Sequence, residues 1–345
     1  MTQNISNESV HTLAIDLAKM SFHIHGADQF GKKLLSKPVT RTKLVSYISN
    51  LAPCTVVMEA CGGANYFARS FSAMGHTVKL IAPQFVKPFV KSNKNDAVDA
   101  QAICEAAQRP DMRFVAHKDI AQQDIQSIHR ARSLIVSQRT AISNQIRGLL
   151  AEYGIVIPRS FSILNKRIPE LLDYTSTELT PLFKEMLSHV FENLKLLEQK
   201  LAFFNKKIEE IAKSEERCRR LMTIPGIGAI VATALVATLG DGRAFKNGRE
   251  ASAFLGLVPR QHSTGGRSVL LGISKRGDKY LRALLIQGAR SVVTYAPKHD
   301  DYRSNWITDL ARRRNVNIAT VAVANKNVRT AWKMLQAGDN YKVAA

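Results

Sequence analysis

Short apolar runs and amphipathic stretches alternate along the first third of the chain. HTLAIDLAK (11–19) alternates and then runs apolar, as a half-buried strand does, with Asp16 near its middle. SFHIHGAD (21–28) and KKLLSKPVT (32–40) follow after tight breaks and predict two further strands of a meander. RTKLVSYISNLA (41–52) has helical periodicity, and CTVVMEAC (54–61) is a β-branched run that predicts a buried strand with Glu59 at its carboxyl end. ANYFARSFSAMG (64–75) predicts a helix closed by Gly75, and TVKLIAP (77–83) a strand stopped by Pro83. An alanine-rich helix carrying KNDAVDAQAI (94–103) comes next.

That order, three strands, helix, strand, helix, strand, helix, matches an α/β ribonuclease-H-like fold, in which a meander starts a mixed sheet that βαβ units complete. Element order alone also fits other α/β domains. From about 120 to 212 the pattern turns helical. Ile125, Ile128, Ile135, Ile142, Ile146 and Leu149 form a sparse stripe. After a break at YGIVIPRS (153–160), apolar residues from Phe183 through Leu187, Leu194, Leu201 and Ile208 to Ile211 recur at spacings of four and three. Sustained over four heptads, this is a coiled-coil pattern, read as intermolecular packing in preference to a hairpin within the chain. The chain therefore divides into 1–118, 119–215 and 216–345.

Asp96 and Asp99 lie three apart on one helix face, where like charges repel by a few tenths of a kcal/mol. Solvent, a neighbouring Lys94 or a bound cation can offset that. Asp16 on the first strand and Glu59 on the fourth would bring two more carboxylates toward the same helix. Hard oxygen ligands from separate elements suit Mg²⁺, and two such ions stabilise the attacking and leaving oxygens of a phosphoryl transfer. The charge balance agrees: 49 Lys and Arg against 28 Asp and Glu give +21, which favours a polyanionic partner. The four cysteines show no metal-ligand spacing and read as thiols in a reducing compartment. The amino terminus lacks the pattern of a secretory signal, and no apolar stretch is long enough to span a bilayer, so a cytoplasmic, nucleoid-associated protein is expected.

The last third carries a second set of signals. LMTIPGIGAIVATALVATLG (221–240) resembles a helix-hairpin-helix, with Gly226 and Gly228 letting backbone N–H groups approach a phosphate. HSTGGR (262–267) reads as a flexible polar loop holding Ser263 and Thr264 between Arg260 and Arg267. GISKRGDKYLR adds Lys275, Arg276, Lys279 and Arg282 as a basic surface for a nucleic-acid backbone. Spacing does not show whether a serine in such a loop is activated. LARRRNVNIATVAVANKNVRTAWKML (310–335) reads as a basic turn feeding a final packing helix in a mainly α segment.

Together AIDLAK, VVMEACGG, KNDAVDAQAI, TIPGIG, FLGLVPRQHSTGG and GISKRGDKYLR resemble the DEDD transposases of insertion-sequence family 110, particularly its 1111 subgroup, relatives of the Piv-type DNA invertases. The resemblance implies a RuvC-like amino-terminal domain whose catalytic, metal-binding acids are Asp16, Glu59, Asp96 and Asp99. It implies a serine nucleophile that joins covalently to DNA, Ser263 by position. Some relatives place that serine directly before the glycine, which makes Thr264 the alternative. It further implies a tetramer, donor and target DNA as substrates, and guidance by a noncoding bridge RNA. The competing readings are a RuvC-like structure-selective nuclease using water, and a non-catalytic architectural nucleic-acid-binding protein.

Overall fold

A computed structural model describes residues 10–91 and 95–342, which divide between Ile120 and Ala121 into two compact units. The first is a six-stranded sheet in the order β3-β2-β1-β4-β5-β6. Its strands are β1 (Thr12–Asp16), β2 (Ser21–Ala27), β3 (Lys33–Thr40), β4 (Thr55–Glu59), β5 (Thr77–Ile81) and β6 (Phe114–Val115). β1 pairs antiparallel with β2 and parallel with β4, β4 runs parallel to β5, and β6 closes the far edge antiparallel. Pro38, which has no N–H to donate, sits in the edge strand β3. This mixed sheet has the ribonuclease-H-like order expected from the sequence, with β6 as an extra strand.

Side-chain parity decides what each face carries. Leu13, Ile15, Val56 and Met58 point to one face, where helices α1 (Arg41–Ser49) and α2 (Ala64–Ala73) cover them with Leu44, Ile48, Phe67 and Phe71. Ala14 and Val57 point to the other face. After the short α3 (Pro83–Val86), helix α4 (Asp96–Ala107) packs there through Ala102, Ile103 and Ala106. The small side chains on both sides let α4 lie close to β1, β2 and β4.

The second unit is helical. α5 (Ile120–Ala151) and α7 (Pro181–Ser214) are its two longest described members, with the shorter α6 (Phe161–Leu172) between them in sequence. Ile146 and Leu150 of α5 share an apolar cluster with Leu187, Phe191 and Leu194 of α7, and Ile135 shares one with Leu197 and Leu201. Arg132 Nε donates to Asn205 Oδ1 at 2.7 Å. Rising numbers on α5 thus meet falling numbers on α7, so the two helices are antiparallel. The heptad stripe is spent inside the chain, which corrects the expectation of intermolecular packing: the break at 153–160 and α6 return α7 along α5.

A larger core gathers α8 (Glu216–Leu221), α9 (Ala229–Leu239), α10 (Gly248–Phe254), α11 (Lys279–Tyr295), α12 (Tyr302–Arg313) and α13 (Val316–Ala337) around residues such as Leu221, Leu235, Leu285 and Val328. A polar thread crosses it: buried His129 of α5 lies 2.9 Å from Thr233 Oγ1 and 3.0 Å from the Tyr280 hydroxyl. Between α10 and α11 an exposed ribbon of β7 (Pro259–Thr264) and β8 (Arg267–Ile273) is joined by Gly265 and Gly266 at φ +54° and +75°. Both values suit the two-residue type I′ turn, so the expected flexible loop is the tip of a β-ribbon.

Candidate active site

Parity places the acids. Asp16 shares its face of β1 with Ala14, and Glu59 shares its face of β4 with Val57, so both carboxylates stand on the α4 side at the carboxyl ends of the two central strands. Ile15 pairs with Met58, which makes Asp16 and Glu59 lateral neighbours. Their charges meet at Cys61, whose thiol is pushed up by burial first and then by Glu59 and Asp16. Helix α4 begins with Asn95, whose Oδ1 accepts from the Val98 N–H at 2.9 Å. Asp96 and Asp99 occupy its first turn, where the exposed N–H groups and the helix dipole favour negative charge. Ile103 and Ala106 follow Asp99 at helical spacing and face the sheet, so Asp99 is half-buried on that stripe while Asp96 is exposed.

His23 was not among the expected site residues. It is the strand partner of Asp16, donates to or accepts from Ser36 Oγ at 3.0 Å, and is held below its ordinary pKa by burial, against the pull of Asp96. Its sequence signal was available, since it sits one strand position from the buried Phe22 and so faces Asp16's side. Among the described residues no three His, Cys, Asp or Glu side chains are grouped closely enough to hold a metal ion. Two neighbouring carboxylates, Asp16 and Glu59, stand at the strand ends, and two more, Asp96 and Asp99, in the first turn of α4. Lys94 lies outside the described residues.

Ser263 and Thr264 end β7 in the second unit. Ser263 pairs with Ser268 and Thr264 with Arg267, so the two hydroxyls point to opposite faces of the ribbon. Gln261, two residues before Ser263, donates from Nε2 to Ser263 Oγ at 2.8 Å and to Ser268 Oγ at 3.2 Å. Arg260, Arg267, Lys275, Arg276 and Lys279 are all exposed, as a backbone-binding surface requires.

Arg282 is not part of that surface. It is 8% exposed, and its Nη1 donates to the carbonyls of Leu255 at 3.1 Å and Arg276 at 3.0 Å. The cause is its position on the inner face of α11, next to buried Leu281 and Leu285. Gly226 is likewise needed for another reason than phosphate approach. At φ +87°, a Cβ there would stand 2.8 Å from the Gly288 carbonyl, and one on Gly288 would stand 2.0 Å from the Gly226 carbonyl. The missing side chains let the hairpin and α11 touch backbone to backbone. Gly228 is exposed at the start of α9, whose N–H groups have no side-chain cap.

A mixed sheet of this order, with carboxylates at its central strand ends and more on the helix beside them, is the framework of DEDD nucleic-acid-processing enzymes. Comparison with known proteins narrows this. Residues 13–155 match a DEDD transposase model of the IS110 type, and residues 218–304 match the transposase IS116/IS110/IS902 family. The chain is 45% identical to a probable family 20 transposase of Pseudomonas aeruginosa, over 96% of this chain and 98% of the relative. It is 43% identical to the transposase for insertion sequence element IS1111A of Coxiella burnetii, over 99% and 93%. The transposase for IS1328 of Yersinia enterocolitica is 41% identical, over 96% and 98%. The chain belongs to the IS110 family of insertion-sequence transposases, enzymes that cut and rejoin DNA. No described helix is long and apolar enough to cross a membrane.

Proposed function

We propose that this transposase cuts and rejoins donor and target DNA through Ser263, with Asp16, Glu59, Asp96 and Asp99 holding Mg²⁺, and that a noncoding bridge RNA selects the DNA. The observation that carries the metal-site reading is the shared face: strand parity and the packing of α4 put all four acids on one side of β1 and β4. DEDD transposases depend in general on divalent metal. An ion such as Mg²⁺ keeps several waters and binds through one or two carboxylates plus phosphate oxygens, so an open set of acids fits it better than a closed cage. When bound, it supplies Lewis-acid polarisation of a phosphate oxygen.

The chain's own residues do the rest. Ser263 Oγ attacks phosphorus, the bond from phosphorus to the departing deoxyribose oxygen breaks, and that oxygen takes up a proton. One phosphodiester replaces another, so rejoining needs no ATP. Arg260, Arg267, Lys275, Arg276 and Lys279 neutralise backbone phosphates, and the net charge of +21 suits a complex holding RNA and two DNA duplexes. The exposed start of α9 at Gly228 offers N–H groups to a further phosphate. The resemblance to the family supports assembly as a tetramer. Because the α7 stripe is buried within the chain, other surfaces would make those contacts.

The test incubates the full chain with the RNA of its own element, matching DNA and Mg²⁺, and looks on a denaturing gel for protein covalently joined to DNA. An adduct lost in Ser263→Ala and kept in Thr264→Ala is the expected outcome. Cleaved DNA without an adduct in any lane would make water the nucleophile, and the chain a structure-selective nuclease.

A further inference from the structure

The β7–β8 ribbon orders its residues by parity more sharply than its exposure suggests. Gln261, Ser263, Ser268 and Leu270 share one face, because Gln261 pairs with Leu270 and Ser263 with Ser268. His262, Thr264, Arg267 and Val269 share the other. On the first face the Gln261 amide reaches both hydroxyls, at 2.8 Å to Ser263 Oγ and 3.2 Å to Ser268 Oγ. An amide nitrogen only donates, so both serine oxygens accept from it. Both N–H bonds of the amide are then in use. The Ser263 proton is turned away from Gln261, and among the described residues Ser263 donates to no other group.

We propose that Gln261 is a positioning residue for Ser263, holding its Oγ in one rotamer with the proton free to leave, while Ser268 holds the amide in place. The inference rests on the reading of Ser263 as the nucleophile. An exposed serine at the end of a two-stranded ribbon otherwise samples three staggered χ1 wells. The amide selects one of them. As Ser263 loses its proton, the same N–H stabilises the charge growing on Oγ, since a hydrogen bond to the charged form favours that form. Gln261 acts through Ser263 alone: its donor orients the attacking oxygen and steadies the charge on it. The geometry also separates the two hydroxyl candidates: Gln261 serves Ser263 and has no access to Thr264 on the opposite face.

The experiment measures single-turnover adduct formation by the full chain with its element-derived RNA, matching DNA and Mg²⁺, at saturating DNA, with DNA affinity measured separately. Q261A removes the amide, and Q261M keeps the side-chain length without a donor. Both are expected to slow adduct formation about tenfold, from rotamer freedom and misalignment together, with DNA affinity unchanged. S268A, which leaves the bond to Ser263 in place, is expected to slow it less than about threefold. A Q261M rate within twofold of wild type, or a loss confined to DNA affinity, overturns the assignment. The parent reading fails separately: an adduct that persists in S263A, or cleavage without any adduct in wild type, removes the serine and Gln261's role with it.

Discussion

The buried thread through His129 has a consequence for acid stability whose size follows from its bonds. Thr233 Oγ1 gives its proton to the Ala229 carbonyl at 2.8 Å, so at His129 it accepts from Nε2–H, and Nδ1 accepts from the Tyr280 hydroxyl. The ring is 4% exposed and fully partnered as the neutral form. Burial chiefly, helped by Arg132 and opposed by Asp278, lowers its pKa from 6.5 to about 4. A folded pKa below the unfolded one means that the unfolded chain binds more protons between those values. The contribution is therefore complete above pH 6.5 and is lost as pH falls toward 4. Over about 2.5 pH units at about 1.4 kcal/mol each, it amounts to about 3.5 kcal/mol. The assay is urea unfolding of the full chain and of His129→Gln, which cannot titrate, at pH 7 and pH 4.5. The advantage of wild type over the variant is expected to shrink by about 2–3 kcal/mol between the two. A gap that stays constant with pH would refute the reasoning, because every other titrating group is common to both chains.

Three further outcomes are expected. Asp99→Ala abolishes strand cleavage while leaving RNA binding in a gel-shift assay largely intact; wild-type cleavage by that variant would remove the metal-site assignment. Gly288→Ala forces a Cβ to within 2.0 Å of the Gly226 carbonyl, so the turn and α11 must separate, and the denaturation midpoint should fall by the equivalent of about 1–3 kcal/mol. An unchanged midpoint would mean that the close approach is not needed. Arg282→Met should destabilise by about 1–3 kcal/mol, since it strands the buried Leu255 carbonyl and removes the donor to the Arg276 carbonyl, while Lys279→Ala spares stability and lowers the salt slope of DNA binding by about one. Equal effects of the two variants on both measurements would contradict the division between them.

The sheet was legible because its strands are β-branched runs whose faces differ, and the acids followed from where those runs end. β6 is two residues long, too short for any period to show. The serine ribbon was hidden for a different reason. Both faces of β7 are exposed, so RQHST carries no alternation of apolar and polar residues, and only the Gly265–Gly266 pair announces the turn. Arg282 sits among lysines and arginines in sequence, and only the packing of α11 reveals that its charge points inward. Gly226 was singled out for close approach to a phosphate, whereas the close neighbour in the fold is the backbone of Gly288, 62 residues away. The heptads of α7 specified a helical partner without specifying which, and a pattern on one helix never does.

That same α5–α7 seam acts as a ruler. Leu187 belongs to the core at one end, shared with α6, and Ala212 to the core at the other end, shared with α8 and α9. Twenty-five helical residues separate these two, a rise of about 38 Å at about 1.5 Å each, and the nearest α7 members of the two cores, Leu194 and Ala212, are about 27 Å apart along the axis. Because the seam repeats every seven residues, its length is quantised. Seven residues removed from each helix would bring the cores about 10 Å closer and leave the apolar face aligned, whereas removal of three or four would rotate one core against the other.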